Sequence, residues 1–396
     1  MKSRGIKRGF AVSALALAVS PAMATELRFD GFASFVAGQA LDKDELLVDP
    51  NTGEATFRGY DERLSFQSNS LFALQVRADL QDKLSATAQI IAKGQDDYEA
   101  KFNWAYLAYQ LTNEVTVKAG RFRTPLFLYS DFLDVGYAYH WISPPDGVYN
   151  LSGFDSSDGV MAEWQVETGG FVSTATLTAS RTNTDTQVGS LESSNGITAT
   201  WNLNYDWFTF HVAHAESDLT IDIPAFAPLV ENLTLAGVSQ DAIDDMLFES
   251  DKATFDGVGV AIDTGKVFAV AEYTETGGEG TSTPDPIKNW YVSGGLRFGK
   301  LTAYATYEKA DADVDQEGLD ALTDPLVPLI PFGAQALIDG IEDLYYQSVK
   351  DSDTYSIGLR YDFHPSAAMK FEYVQQDDKL HDVEPSAIAV AIDLVY

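Results

Sequence analysis

The sequence predicts an all-β protein, a transmembrane antiparallel β-barrel of sixteen strands, and three observations carry that prediction. Apolar and polar residues alternate with period two along most of the chain, as in strands with one apolar and one polar face. The connections between these segments are short and long in strict turn. Beyond residue 24, no segment approaches the roughly 18 consecutive apolar residues that a membrane-spanning helix requires.

Taken in order, the strand segments are 26–37, 62–78, 83–93, 101–111, 115–122, 158–167, 170–181, 196–205, 207–216, 254–263, 266–274, 289–298, 300–309, 353–363, 367–376 and 387–396. In the first, Leu27, Phe29, Gly31, Ala33 and Phe35 share one parity. Further along, Val160, Ala162, Trp164 and Val166 interleave with Met161, Glu163, Gln165 and Glu167. Ile197, Ala199, Trp201, Leu203 and Tyr205 interleave with Thr198, Thr200, Asn202 and Asn204, and Tyr355, Ile357, Leu359, Tyr361 and Phe363 with Ser356, Gly358, Arg360 and Asp362. Most segments are near the ~9–11 residues that a tilted spanning strand needs.

Short turns at Asp79–Asp82, Thr112–Glu114, Thr168–Gly169, Asp206, Thr264–Gly265, Gly299 and His364–Ser366 alternate with polar connections at 38–61, 94–100, 123–157, 182–195, 217–253, 275–288, 310–352 and 377–386. A barrel crossing a membrane sorts its connections in this way, and a soluble sandwich has no reason to. In hydrocarbon every backbone donor and acceptor needs an internal partner, so the sheet must close without a free edge. Trp104, Tyr106, Phe208, Phe210, Trp290, Phe371, Tyr373 and Tyr396 are expected in the aromatic girdles at the two interfaces.

Composition narrows the function. The 396 residues hold 26 Lys+Arg against 59 Asp+Glu, a formal charge of −33, which argues against nucleic acid as a partner. There is no cysteine, so thiolate metal sites, redox pairs and cysteine nucleophiles are excluded. Lys2, Arg4, Lys7 and Arg8 precede the apolar stretch Phe10–Val19, then Pro21 and Ala22-Met23-Ala24, so residues 1–24 are expected to be a cleaved secretory signal. Residues 25–396 are then a single barrel domain.

From here the chain resembles the trimeric sixteen-stranded porins of Gram-negative bacteria. Three stretches carry the resemblance: the alternating C-terminus with its aromatic end, Ile392, Leu394 and Tyr396; Val117-Lys118-Ala119-Gly120-Arg121-Phe122, which ends a strand in a Gly-Arg pair; and the connection Arg123–Ser157 that follows it. The family ordinarily ends in Phe, and this chain ends in Tyr. The resemblance implies an outer-membrane location, assembly into a homotrimer, and a C-terminal signal read by the barrel assembly machinery. It also implies outer-membrane lipid and lipopolysaccharide as surroundings and a third loop, 123–157, folded into the lumen to narrow it.

A sixteen-stranded barrel is wide enough for an aqueous channel, so passive diffusion of small hydrophilic solutes and ions is the expected function. Strand parity turns Arg28, Arg77, Lys118, Arg297, Arg360 and Lys370 inward as cations, and Asp30, Glu163, Glu308, Asp362 and Glu372 as anions. Opposed charges in a narrow pore would sort polar solutes. The expected basic side of the constriction is Arg121, Arg123, Arg77 and Lys118, and the acidic side Asp131, Asp134 and Asp146. For Arg121 and Arg123 the competing role is anchoring the loop to the wall, and for the aspartates a solvated loop face. Phe127, Tyr129, Phe132, Tyr137, Tyr139, His140 and Trp141 could form a greasy slide for sugars or pack the loop against the wall. Inward cations do not dominate the anions as a phosphate-selective ladder would require.

The long connections 217–253 and 310–352 each run from an apolar Pro-containing piece into a short helical period, at Asp241–Phe248 and Ala334–Tyr346, which suggests helices over the barrel mouth. Acidic runs at Asp42–Glu45 and Asp311–Glu317 lack the spacing of a calcium loop; no cofactor is expected beyond nonspecific divalent cations there. Five scattered histidines, no G-x-S-x-G elbow and no phosphate loop argue against an enzyme. The alternatives are a non-conducting barrel acting as an adhesin or receptor, or a porin specific for one anionic solute class.

Overall fold

The computed structural model describes residues 26–47, 55–149, 154–185, 189–247, 249–278, 285–346 and 349–396. The expected leader, 1–24, lies outside these residues. The strands β1 (Glu26–Ala40), β2 (Leu71–Gln81), β3 (Leu84–Lys93), β4 (Ala100–Gln110), β5 (Val115–Arg123), β6 (Ser156–Thr168), β7 (Phe171–Asp185) and β8 (Ser190–Tyr205) form one half of a closed barrel. The other half is β9 (Phe208–Asp222), β10 (Glu249–Asp263), β11 (Val267–Gly278), β12 (Asp285–Phe298), β13 (Leu301–Asp313), β14 (Lys350–His364), β15 (Ala367–Asp378) and β16 (Ser386–Val395). Each strand pairs antiparallel with its sequence neighbours, and β16 closes onto β1 with Phe32 opposite Val395 and Ala40 opposite Ala387.

Several strand boundaries differ from the sequence expectation for physical reasons. β2 begins at Leu71 rather than 62, and Leu64 and Phe66 lie exposed in the connection before it. Their alternation has no partner strand beyond a single bridge between Gly38 and Ser65. Conversely, β7, β8 and β9 run on to Asp185, from Ser190 and to Asp222, because their Ser- and Thr-rich ends keep pairing above the apolar belt.

The two faces are inverted relative to a soluble protein. Leu177, Ile197, Val292 and Ile357 point outward and are exposed, while Thr178, Thr198, Ser293 and Ser356 on the same strands are buried inside. Such an apolar outer band suits lipid. Near the short-turn end, Phe171 stacks on Tyr205 at 4.4 Å; toward the long-loop end Tyr307 contacts both Trp290 and Tyr355 at 5.2 Å. Trp104 and Tyr106 are not girdle residues. An extra residue, Asn103, bulges β4 between the Ile90–Phe102 and Gln89–Trp104 pairs, so Phe102 faces out and Trp104 and Tyr106 face in.

Three further features sit on this frame. The described stretch 124–149 of the connection between β5 and β6, which includes the short helix α1 (Asp146–Tyr149), folds into the barrel. The two longest connections carry α2 (Ala227–Ala236) and α3 (Gln240–Met246), and α4 (Gln316–Thr323) and α5 (Gln335–Tyr346). These four helices, with Leu326 from the 3-10 segment Asp324–Phe332, bury Leu233, Ile243, Met246, Leu322 and Ile341 against one another, a small separate core above the barrel wall. Finally, the first long connection returns inward, where the Arg58 guanidinium meets Glu308 Oε1 at 2.6 Å.

Candidate functional site: the lumen and its constriction loop

The loop between β5 and β6 is held on the wall by inward side chains of β11 to β13. The buried Glu272 carboxylate accepts from the Leu128 backbone N–H at 2.7 Å, from Tyr291 Oη at 3.2 Å, and from Tyr149 Oη. Trp141 Nε1 donates to Thr306 Oγ1 at 2.8 Å, and the His140 ring pairs with Ser293 Oγ at 2.9 Å. Around these bonds Leu126, Phe127, Tyr139 and Trp141 pack with Phe255, Phe268, Tyr291 and Tyr304 of the wall. The loop aromatics Phe127, Tyr139 and Trp141 are therefore packing residues rather than an open slide.

The basic residues of β14 and β15 complete the anchoring. Arg360 Nη1 donates to the Tyr137 and Tyr139 carbonyls at 2.7 and 2.6 Å. Lys370 Nζ donates to the Gly136 and Trp141 carbonyls at 2.6 and 2.5 Å and pairs with Asp393 at 2.8 Å. Gly136 is required there: a Cβ would come within 2.5 Å of Asp393 Oδ1 and 2.7 Å of Ser34 Oγ. Burial, and then the nearby charges of Lys370, Arg360 and Arg297, hold the His140 pKa well below its ordinary value, so the ring stays neutral.

Across the lumen, among the described residues, the loop has one polar attachment. Asp134, buried at the edge of the lumen, pairs with Lys93 at 2.9 Å and with Arg123, and accepts from Asn103 Nδ2 at 3.1 Å. Burial alone would push its carboxyl up, but the Arg123 and Lys93 charges outweigh it and hold the pKa at about 2. The network continues along the wall: Asn103 donates to Gln89, and Gln89 and Trp104 both donate to Gln75 Oε1.

Two water-accessible cavities flank this arrangement. One, of 1230 Å³, lies toward the short turns and is lined by Glu26, Arg77, Asp79, Tyr106, Lys118 and Glu163, among others. The second, of 230 Å³, lies toward the long loops and is lined by Lys93, Asp134, Asp146, Tyr149 and Asp155 among others.

The structure thus separates the expected constriction residues. Arg77 and Lys118 line the larger cavity, paired with Asp79 at 3.2 Å and Glu163 at 2.7 Å. Arg123 anchors the loop through Asp134. Arg121 is not in the lumen: it lies opposite Ala105 and Asp158 on the outward parity and binds Asp158 through two 2.9 Å hydrogen bonds. Arg121 keeps the strand parity opposite to Lys118, whereas Arg123, although of the same parity as Arg121, is the last residue of β5, where the chain turns into the lumen. Asp134 and Asp146 line one cavity, whereas Asp131 is exposed elsewhere on the loop. Of the wall residues, Arg28 bonds Glu26 at 3.1 Å, Arg297 pairs with Asp263 at 2.6 Å, Glu308 takes Arg58, and Glu372 accepts from Tyr304 Oη at 2.6 Å. Ile392, Leu394 and Tyr396 point outward along β16.

Sequence reasoning missed Glu272, Lys93, Asn103 and Gln89. A carboxylate at the inward parity of Val270, Glu272 and Thr274 was a signal for the first. Nothing in the sequence alone marks the bulge that brings Asn103 to Asp134. Among the described residues no group of three or more His, Asp or Glu side chains is placed to hold a metal ion.

Known proteins give this geometry a context. Salmonella typhi OmpF, solved in complex with daunomycin, superposes with a TM-score of 0.57 at 13% identity, over 93% of this chain and 97% of that one. OmpT, an outer-membrane protein of Vibrio cholerae, gives 0.54 at 12% identity, over 94% and 98%. Its in vitro folded trimer form gives 0.53 at 12%, over 94% and 99%. At such identities the likeness speaks for the fold. No curated protein matches the sequence. A family model for Gram-negative porins, however, matches residues 11–381, every strand but the last, and so the chain belongs to the Gram-negative porin family and resides in the outer membrane.

Proposed function

We propose that this porin lets small hydrophilic solutes and ions diffuse passively, as a homotrimer and without catalysis. The observation that carries the proposal is the 1230 Å³ polar cavity inside a closed barrel, lined by charges of both signs. Because Arg77 and Lys118 are each paired with a wall carboxylate, the wall favours a general solute range over one anionic class. A non-enzymatic role is supported by the histidines, each of which has a structural partner. Support for the trimer comes from the outer face of β2 to β5, where Ala78, Ala86, Ala88, Ala105 and Ala119 line a shallow groove able to admit a second copy closely. We place lipopolysaccharide and lipid around the remaining wall, and the barrel assembly machinery at Tyr396. Divalent cations are proposed only as nonspecific counterions of the acidic loops.

The test is liposome swelling with neutral sugars of graded size. Permeation by monosaccharides but not by long oligosaccharides is expected. A folded, inserted barrel that passes none of them would overturn the proposal and favour the adhesin or receptor alternative.

A further inference from the structure

Between Leu128 and Asp134 the constriction loop crosses from one side of the barrel to the other. Leu128 is tied to Glu272 on β11, whereas Asp134 is tied to Lys93, Asn103 and Arg123 at β3, β4 and β5, on the far side of the ring. The return is equally brief, since Gly136 is already held by Lys370 on β15. A single acidic side chain thus forms the polar attachment of the crossing segment to the β3–β5 wall among the described residues.

The height of that attachment gives it a consequence. Along β3, Thr87 lines the larger cavity, Gln89 belongs to the Asp134 network, and Lys93 lines the smaller cavity. Along β4, Tyr106 lines the larger cavity and Asn103 reaches Asp134. The network therefore separates the larger cavity from the smaller one, which Lys93 and Asp134 themselves line. Lys93, Arg123 and Asn103 occupy three of the roughly four acceptor positions of the carboxylate, which leaves Asp134 little capacity to bind a passing solute.

We propose that Asp134 is a positioning residue: it latches the crossing segment to the β3–β5 wall and thereby sets the size limit for solutes. Beside it Val135 packs against Phe32, Ala73 and Ile91, and Tyr139 Oη donates to the Leu133 carbonyl at 2.8 Å, but Ser130–Phe132 and Gly136–Ala138 on either side are single 3-10 turns that give the segment no rigid element of its own. With the latch released, the crossing segment swings toward its β11–β15 anchors and the cavities merge. This inference rests on the diffusion function proposed above.

The experiment is single-channel recording with polyethylene glycols of graded size, on refolded Asp134→Ala, Asp134→Glu and an Asn103→Cys/Asp134→Cys double variant. The chain has no cysteine of its own, so the introduced pair is the only thiol chemistry. Asp134→Ala is expected to raise conductance by roughly twofold or more and to admit larger polymers, with Asp134→Glu close to wild type. Bridging the cysteine pair with a short bis-methanethiosulfonate reagent should restore the wild-type size limit, and reductant should abolish it again. A general loss of packing would not respond to the bridge. Unchanged conductance and size limit in folded Asp134→Ala overturn the latch. Should Asp134→Ala fail to fold, the bridged and reduced states of the double variant decide, and identical limits in both overturn it. If folded wild type and variants all fail to conduct, the diffusion function itself falls, and the latch with it.

Discussion

Lys370 and Asp393 form a 2.8 Å ion pair between β15 and β16, with both side chains buried where the constriction loop meets the wall. Removing one partner of such a pair leaves an uncompensated charge and costs about 3–5 kcal/mol. Lys370→Met should therefore lower the thermal midpoint of the refolded barrel and loosen the loop at Gly136 and Trp141. The double variant Lys370→Met/Asp393→Leu should recover part of the midpoint in a detergent melt. A single variant as stable as wild type would show that the pair is dispensable.

The seam of the barrel supplies a second prediction. Gly31 and Tyr396 exchange two 2.9 Å backbone hydrogen bonds, and a Cβ on Gly31 would come within 2.3 Å of the tyrosine ring. Gly31→Val should slow refolding into detergent micelles, and Tyr396→Ala in the same chain should relieve the clash. Refolding rates read by the heat-dependent gel shift of the barrel check both.

Protonation of Asp134 needs strong acid. Asp134 has its pKa lowered from 3.8 to about 2, so its contribution is present in full above about 3.8 and is lost as pH falls through about 2. Conductance should be insensitive to this group from neutral pH down to about 4, then change below about 3. His140, its pKa well below the ordinary value, should add no step near pH 6. A titration of single-channel conductance settles the window.

Glu272 holds three donors of the loop and wall at once. Glu272→Ala orphans them, at about 1–3 kcal/mol for each donor that stays buried. Greater current noise and faster proteolysis within 124–155 are expected, while the strands keep their hydrogen-exchange protection.

The helical cap should respond independently of the barrel. Ile341, fully buried among α3, α4 and α5 side chains, tolerates no charge. Ile341→Asp should abolish hydrogen-exchange protection in α2 to α5 and leave β9, β10, β13 and β14 protected within the membrane. Loss of protection across both would mean that the cap and barrel fold as one unit.

Much of this fold was legible because a strand crossing a membrane must alternate and must close. Parity alone also placed Arg28, Glu163, Arg297, Glu308, Arg360, Lys370 and Glu372 on the inner face. It failed where alternation is broken by one residue, as at Asn103, and where spacing was set aside, as at Arg121. The role of the inward residues was less legible, because Lys370 and Arg360 look the same in sequence whether they face water or a loop carbonyl. Helices α2 and α4 were hidden for a related reason: their apolar faces have meaning only against each other, and the acids of Asp311–Glu317 masked the start of α4.

The central claim is that this barrel conducts, through a lumen narrowed by the 124–155 loop. Planar-bilayer recording of the refolded wild-type protein tests it most directly. Stepwise openings in multiples of three, stable across a salt gradient, are the predicted result. A correctly folded, membrane-inserted barrel that shows no steps would contradict it.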